Sequence, residues 1–374
     1  MKNIIGQIVE KENFFGRNRE IKDAERLLED GNSLLLAAPR RVGKSSFARK
    51  MIEVTESKGW KGYFIDLEQV KSEEDFIKRF LILLKGENWW EKFPLKNFSL
   101  SVGQIGVSLE TGKQNDIYYE IEKVLPHHEN TLIVMDELTI FLNNLHGEDG
   151  KNGNCERFLN WLRGLRLATG TKIRWIICSS ISIESFAHRH NFSYTINDFT
   201  NFKIDELEGG EPALLVKELA KSKEIVFGDE EIHYLLEKIG WKLPYYIQLL
   251  LKEIGESAEN GIVAKNTVDV AYQKATSRQS VHFNTWIERL KNFEENKSFA
   301  EHILKELAKT PNGKSKTVLK RLIYNKINDD ERAEEILNHL LLALENDGYL
   351  MSKNGKYAFR SPLLREFWYN RYIQ

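Results

Sequence analysis

The sequence predicts an α/β fold: a three-layer domain with a parallel sheet, followed by a helical lid domain and a winged-helix-like C-terminal domain. Three observations carry that expectation. Over residues 1–206, five apolar runs alternate with segments of helical period, the pattern of strands joined by crossover helices. Over 207–292 the period is helical throughout, and over 293–374 three helical segments precede a strand–turn–strand pattern. Finally, the apolar run that begins at Leu34 stops at a short loop closed by Gly43-Lys44-Ser45, and a helix-period sequence starts at once. That is the layout of a phosphate-binding loop.

Composition sets the outer bounds. A chain of 374 residues exceeds one ordinary core and suggests two or three domains. With 41% hydrophobic and 29% charged residues it belongs with folded globular proteins rather than disordered ones. The net charge of −1 means that nucleic acid could be held only by a local patch. The two cysteines, Cys155 and Cys178, have no metal-ligand spacing and fit a reducing compartment. No window approaches the roughly eighteen apolar residues of a membrane span, and MKNIIGQIVEKENFF lacks a signal-peptide core. The expected setting is therefore cytoplasmic, with no membrane contact.

Taken in order, Phe14-Phe15-Gly16-Arg17 reads as an apolar entry into an amphipathic helix marked by Ile21, Ala24, Leu27 and Leu28. Residues 34–38 form a buried strand feeding the loop, 62–67 a second strand and 72–84 a helix. Apolar residues alternate with polar ones from Phe98 to Leu109, which predicts an inserted β-hairpin over about 96–112. Ile121 and Val124 resume helical spacing, and residues 131–135 give the strongest strand signal, ended by Asp136 and Glu137. A polar loop is expected from 146 to 154. A helix through Phe158, Leu159, Trp161, Leu162 and Leu165 follows, then a strand over 173–179 and a weaker one near 201–204. In the last domain, helices are expected at about 299–309, 315–326 and 331–346, before a hairpin turning at Ser352-Lys353-Asn354-Gly355.

The residues able to carry chemistry begin with the loop itself: Pro39, Arg40, Arg41, Val42, Gly43, Lys44, Ser45 and Ser46. Backbone N–H groups would cradle the phosphates of ATP, Lys44 would neutralise the outer ones, and the Ser45 hydroxyl would ligate Mg²⁺. Ala38 stands where the G-x-x-x-x-G-K-S pattern has its first glycine, and as the smallest substitute it still allows the loop to form. The alternative is a basic turn before a helix. Asp136 and Glu137 end a buried strand, where carboxylates are costly unless they meet a cation such as a nucleotide-bound Mg²⁺. Asp136 would hold the metal, directly or through its water shell, and Glu137 would orient or deprotonate the attacking water. A strand merely ending in two solvated acids is the plainer reading. Ser179 would approach the terminal phosphate if its strand lies between the loop strand and the acid-bearing strand, though strands ending in serine are common.

In this order the features resemble AAA-type P-loop ATPases and, more narrowly, the archaeal-type ATPases of the STAND group, which are related to origin-recognition initiators. Phe15-Gly16-Arg17 with Glu20, Asp66-Leu67-Glu68, Gly240-Trp241-Lys242-Leu243-Pro244-Tyr245-Tyr246 and Tyr357-Ala358-Phe359-Arg360-Ser361-Pro362-Leu363-Leu364-Arg365 match that family. The resemblance implies a P-loop ATPase three-layer domain with ATP and Mg²⁺ as cofactors. It also implies an adenine pocket lined by Phe15, Gly16 and Arg17, with Pro244 and Tyr245 pressing on the base from the lid. Read without it, Phe15 is a hydrophobic staple and Pro244 an ordinary helix break. There are two departures. The spacing from Gly240 to Pro244 exceeds the glycine-x-proline of many relatives, and Ser193-Tyr194-Thr195-Ile196-Asn197 stands where relatives often carry an arginine. Such an arginine raises turnover by roughly three to five orders of magnitude in some NTPases, so tight ATP binding with slow hydrolysis is expected.

The leading functional expectation is a STAND-like regulatory ATPase, a nucleotide-dependent switch that engages a partner protein or a second copy of itself in microbial defence or stress response. The alternative is a DNA-associated AAA-type ATPase, similar to initiators or transposition regulators. Its contact would run through Lys316, Lys320 and Arg321 on the second helix of the last domain, with Lys353 and Lys356 in the wing. Acids follow immediately at Asp329, Asp330, Glu331, Glu334 and Glu335, which favours a protein or intramolecular docking surface over DNA. A third reading is a nucleotide-binding scaffold without turnover.

Overall fold

Residues 34–36, 132–135 and 175–178 are apolar at every position, and strands of that kind need cover on both faces. The computed structural model describes residues 1–86, 118–149, 153–179, 183, 186–187 and 190–374. The apolar runs become strands β1 (Ser33–Ala37), β2 (Lys61–Asp66), β3 (Thr131–Asp136), β4 (Ile173–Ser179) and β5 (Phe199–Asn201). They form an all-parallel sheet of order β2-β3-β4-β1-β5. The expected three-layer P-loop ATPase architecture is thus present, and β4 lies between the loop strand and the acid-bearing strand.

Alternation along the strands divides the cover. Leu34, Leu36, Leu132 and Val134 pack on helices α1 (Asn18–Glu29) and α2 (Lys44–Glu56). Leu35, Ile133, Met135 and Ile177 face the opposite core, built with α3 (Glu73–Lys85), α4 (Tyr119–Val124), α5 (Leu138–Asp149) and α6 (Gly153–Thr169). The polar loop expected from residue 146 is corrected in part: His146 lies within α5. Leu138, Phe141, Leu142 and Leu145 are fully buried at helical spacing and carry the helix through the polar residues beyond them. The hairpin expected over 96–112 lies outside the described residues. β5 begins two residues before the weak strand signal.

The remainder is mostly helical. α7 (Glu211–Lys221), α8 (Asp229–Ile239), α9 (Pro244–Ser257), α10 (Lys265–Ala275) and α11 (Asn284–Arg289) form one group. α12 (Lys297–Ala308), β6 (Lys314–Ser315), α13 (Lys316–Ile327), α14 (Asp330–Asn346), β7 (Leu350–Lys353), β8 (Lys356–Phe359) and α15 (Pro362–Tyr372) complete the chain. The last three strands pair antiparallel in the order β6-β8-β7. Three helices followed by a hairpin is the order expected of a winged-helix-like domain; β6, only two residues long, left no pattern to read. The aromatic tail packs inward, with Phe367 stacked on Phe283 at 5.0 Å and Trp368 buried against Tyr349. No helix among the described residues is long and apolar enough to cross a membrane.

Asp205, just after β5, ties these parts together. Its carboxylate accepts from Trp241 Nε1 at 2.9 Å and pairs with Arg360, whose guanidinium lies 4.4 Å from the centre of the Trp241 ring. Its carbonyl accepts from Arg17 at 2.6 Å. Burial pushes the Asp205 carboxyl up, but the Trp241 N–H and Arg360 prevail and hold it below the usual carboxylate range. A depressed folded-state value contributes stability above the unfolded value near 4 and loses it as pH falls through the folded one. Asp205→Ala should therefore cost about 1–3 kcal/mol in urea unfolding at pH 7, through one charged hydrogen-bond network. The penalty should shrink when the same measurement is made below pH 4.

Candidate nucleotide site

The loop after β1 reverses direction because Arg41 and Gly43 take left-handed backbone conformations, with φ of 71° and 94°. A side chain at Arg41 tolerates this at some strain; Gly43 does so freely. α2 starts at the next residue, so its first N–H groups and positive dipole end point into the loop. Ala38 is buried at the base of the turn, and the loop closes without the missing glycine. Lys44 Nζ reaches back to the carbonyls of Ala38 at 2.6 Å and Pro39 at 2.9 Å. Burial pushes the Lys44 ammonium down to about 8, against the pull of Glu137 and Asp136.

The sheet order brings the acids to the same place. The Ser45 hydroxyl lies near enough to the Asp136 carboxylate to oppose the rise of its carboxyl, so the two residues expected to hold a metal are neighbours. Asp136 is 4% exposed, and burial raises its carboxyl to about 6 despite Ser45 and Lys44. Glu137 sits at φ 57°, a left-handed position that costs a non-glycine residue on the order of 1 kcal/mol. Its N–H donates to Asp136 Oδ1 at 3.1 Å. Ser179 is paired in register with Ala37, and its hydroxyl shares a hydrogen bond with that of Thr139, two residues beyond Glu137.

Above the loop lies a cavity of about 260 Å³. Its floor is Val42, Gly43, Lys44, Ser45 and Ser46, with Arg40, Arg41 and Glu137 at the edges. Phe15 and Arg17 border one side; Pro244 and Tyr245 enter from the start of α9, some two hundred residues later in the chain. The Arg41 guanidinium lies 4.4 Å from the centre of the Tyr245 ring. Four expected residues do not line it: Gly16, Pro39, Asp136 and Ser179. A Cβ on Gly16 would meet the Glu211 carboxylate at 3.0 Å, so Gly16 faces α7. Pro39 presents its carbonyl to Lys44 and its ring to Gly348. Arg17 also has a larger task than lining, since its guanidinium donates to Val42 O at 2.8 Å, Asp205 O and Glu20.

Several contributors left no readable signal in the sequence. Residues Gly6, Gln7, Ile8 and Val9 cross the cavity, pinned by Val9 N donating to Ser46 Oγ at 3.0 Å and Lys11 N to Glu53 at 3.0 Å. Gln248 on α9 borders the opening and accepts from Asn3 at 3.0 Å through its carbonyl. The first depends on contacts to α2 some forty residues on, the second on a contact 245 residues apart.

No protein-family model matches the chain. No curated protein matches it either. Solved structures do. A Walker-type ATPase of Pyrococcus abyssi superposes with a TM-score of 0.65 at 16% identity, over 98% of this chain and 99% of that one. The ORC2 protein of Aeropyrum pernix, determined as ADPNP–ADP complexes, gives 0.52 at 14% identity over 96% and 95% of the two chains. At these identities the likeness establishes the fold, a P-loop ATPase α/β core with a helical C-terminal part similar to that of ORC-like proteins.

An ionised Asp136 is held against its environment. Its folded value near 6 exceeds the unfolded value near 4, so stability is present in full below pH 4 and is lost as pH rises through 6, by about 3 kcal/mol at roughly 1.4 kcal/mol per pH unit. Asp136→Asn should consequently raise the thermal midpoint of the nucleotide-free protein at pH 7.5, and the gain should vanish toward pH 4 in the same scan.

Proposed function

We propose that this protein is an ATP-binding, slowly hydrolysing P-loop ATPase that acts as a nucleotide-dependent switch on a partner protein. The observation that carries the reading is the nearness of Ser45, on the floor of a cavity framed by the phosphate loop below and by Pro244 and Tyr245 beside it, to the buried Asp136 carboxylate. A hydroxyl and a carboxylate are hard oxygen donors that suit Mg²⁺, with phosphate oxygens and water completing its shell. Bound Mg²⁺ would supply neutralisation of the charge on the terminal phosphates. Lys44 and the N–H groups of the loop and of α2 hold the phosphate chain. Glu137, beside Asp136, is positioned to orient a water molecule and take its proton. Phe15, Pro244 and Tyr245 offer apolar and aromatic surface for a base.

Slow turnover is supported by the turn at Ser193–Thr195, which contains no arginine. Arg166, which reaches this turn, is held at 2.7 Å by both Asp198 and the Thr195 carbonyl, and Arg163 lies over the Tyr194 ring at 5.8 Å. A protein partner is favoured over DNA by the state of the basic helix. Lys316 pairs with Glu334 at 3.4 Å, and Lys320 with Asp330 and Glu334 at 2.9 Å each, so a phosphate backbone would have to displace those acids. The STAND-like role in microbial defence or stress response rests on the resemblance in the sequence.

Titration with a fluorescent ATP analogue should give saturable binding that Lys44→Ala weakens at least about tenfold. Glu137→Gln should keep binding while lowering turnover by about a hundredfold or more. Wild-type turnover on the order of 1 s⁻¹ or faster would remove the slow-switch reading. In a low-salt gel shift the chain should leave duplex DNA unshifted; a shift abolished by substituting Lys316, Lys320 and Arg321 would instead establish the DNA-associated reading.

A further inference from the structure

Phe15, Leu215, Pro244 and Tyr245 give the cavity an apolar wall. One uncharged polar side chain joins them. Gln248 lines the same cavity and is 8% exposed, one turn of α9 beyond Pro244. Residues at this spacing share a helix face, so Pro244 and Gln248 are neighbours along the wall, with Tyr245 beside them. The other lining amides are placed differently: Gln7 is exposed, and Asn13 accepts from the Lys2 N–H at 2.8 Å.

The two ends of Gln248 are treated differently by the fold. Its carbonyl accepts from Asn3 at 3.0 Å, which ties this turn of α9 to the segment crossing the cavity, and Val9 N ties that segment to Ser46 on α2. Its side-chain amide hydrogen-bonds to no described residue. A buried amide without a partner is unfavourable, and this one borders space shaped for a ligand. A primary amide presents one acceptor and two donors in a plane. The N6/N7 edge of adenine offers the complement, an amino donor beside a ring-nitrogen acceptor, so a single amide makes two hydrogen bonds to it. Guanine shows two acceptors, O6 and N7, at the same edge. The amide nitrogen then serves one of them, and the amide oxygen is left facing an acceptor with no donor.

We propose that Gln248 reads the nucleobase: its amide pairs with the N6/N7 edge of an adenine seated against Pro244 and Tyr245, and so sets a preference for adenine over guanine nucleotides. This rests on the reading of the cavity as an ATP site and adds the source of its base selectivity. Lys44 and Ser45 meet the phosphates of either nucleotide, so the choice of base falls to the α9 wall. Asn3 acts as a positioning residue, because it holds the main chain of the residue whose side chain reads the base.

The test uses the full chain with Mg²⁺, with ATP, GTP and 7-deaza-ATP competing against a fluorescent ATP analogue, in wild type and Gln248→Leu. Wild type should bind ATP about tenfold or more tightly than GTP, and about tenfold more tightly than 7-deaza-ATP, which has carbon in place of N7. Gln248→Leu is close in size and apolar. It should lose ATP affinity about tenfold, keep GTP affinity within about threefold, and bind ATP and 7-deaza-ATP alike. The 7-deaza comparison in wild type needs no variant, so the inference stays testable if the leucine chain fails to fold. Wild type that does not distinguish ATP from 7-deaza-ATP, or a folded leucine variant with the wild-type ATP-to-GTP ratio, overturns the role of Gln248 while nucleotide binding stands. Wild-type chain that binds none of these nucleotides overturns the cavity reading and this inference with it.

Discussion

The buried guanidinium of Arg17 is the interaction on which the arrangement depends. One side chain donates to Val42 O in the phosphate loop, to Asp205 O where the chain leaves the sheet, and to Glu20 on α1, while the Arg17 backbone N–H is accepted by Glu211 on α7 at 2.8 Å. Burial lowers its basicity, and Glu20, Glu211 and Asp205 offset that effect. Removing such a group would leave two carbonyls and a carboxylate short of a donor in a site that water reaches poorly, a cost of about 1–3 kcal/mol for each buried partner. The loop, the sheet and the helical part are therefore oriented by one residue rather than by their apolar contacts alone.

Around that anchor the candidate site is built against local preference. Lys44 is buried and shifted down, Asp136 is buried and shifted up, and Glu137 holds a left-handed backbone. Each departure makes sense for groups that are to meet an anionic ligand and its cation, and each lowers the stability of the chain by itself. The compensation lies in the continuous apolar core that runs from α1 and α2 through α9 to α14 and α15. Asp205 with Arg360 and Trp241, and Gly348 against Pro39, add polar and steric contacts that fix how the C-terminal part meets the loop.

Much of this was legible in the chain. Period and apolar runs marked the strands at 33–37, 61–66, 131–136 and 173–179, because strands buried on both faces read as unbroken apolar segments. The pairing of a glycine-lysine-serine loop with an acid-tipped strand singled out Lys44, Ser45, Asp136 and Glu137, and these four do lie together. Where local pattern was ambiguous the reading slipped. The polar residues after Leu145 looked like a loop, yet the buried face of α5 carries the helix on, because burial of one apolar stripe outweighs weak local propensity.

What the sequence determined by itself was the set of elements and the chemistry at the phosphate loop, since both are written in short-range spacing. What only the tertiary structure decided was which distant residues complete the cavity. Residues 6–9 across its mouth, Tyr245 under Arg41, and Gln248 on the same face of α9 have no local signature. Their positions follow from three parts of the chain packing on one core and from the polar anchors between them, which bring together residues some two to three hundred positions apart.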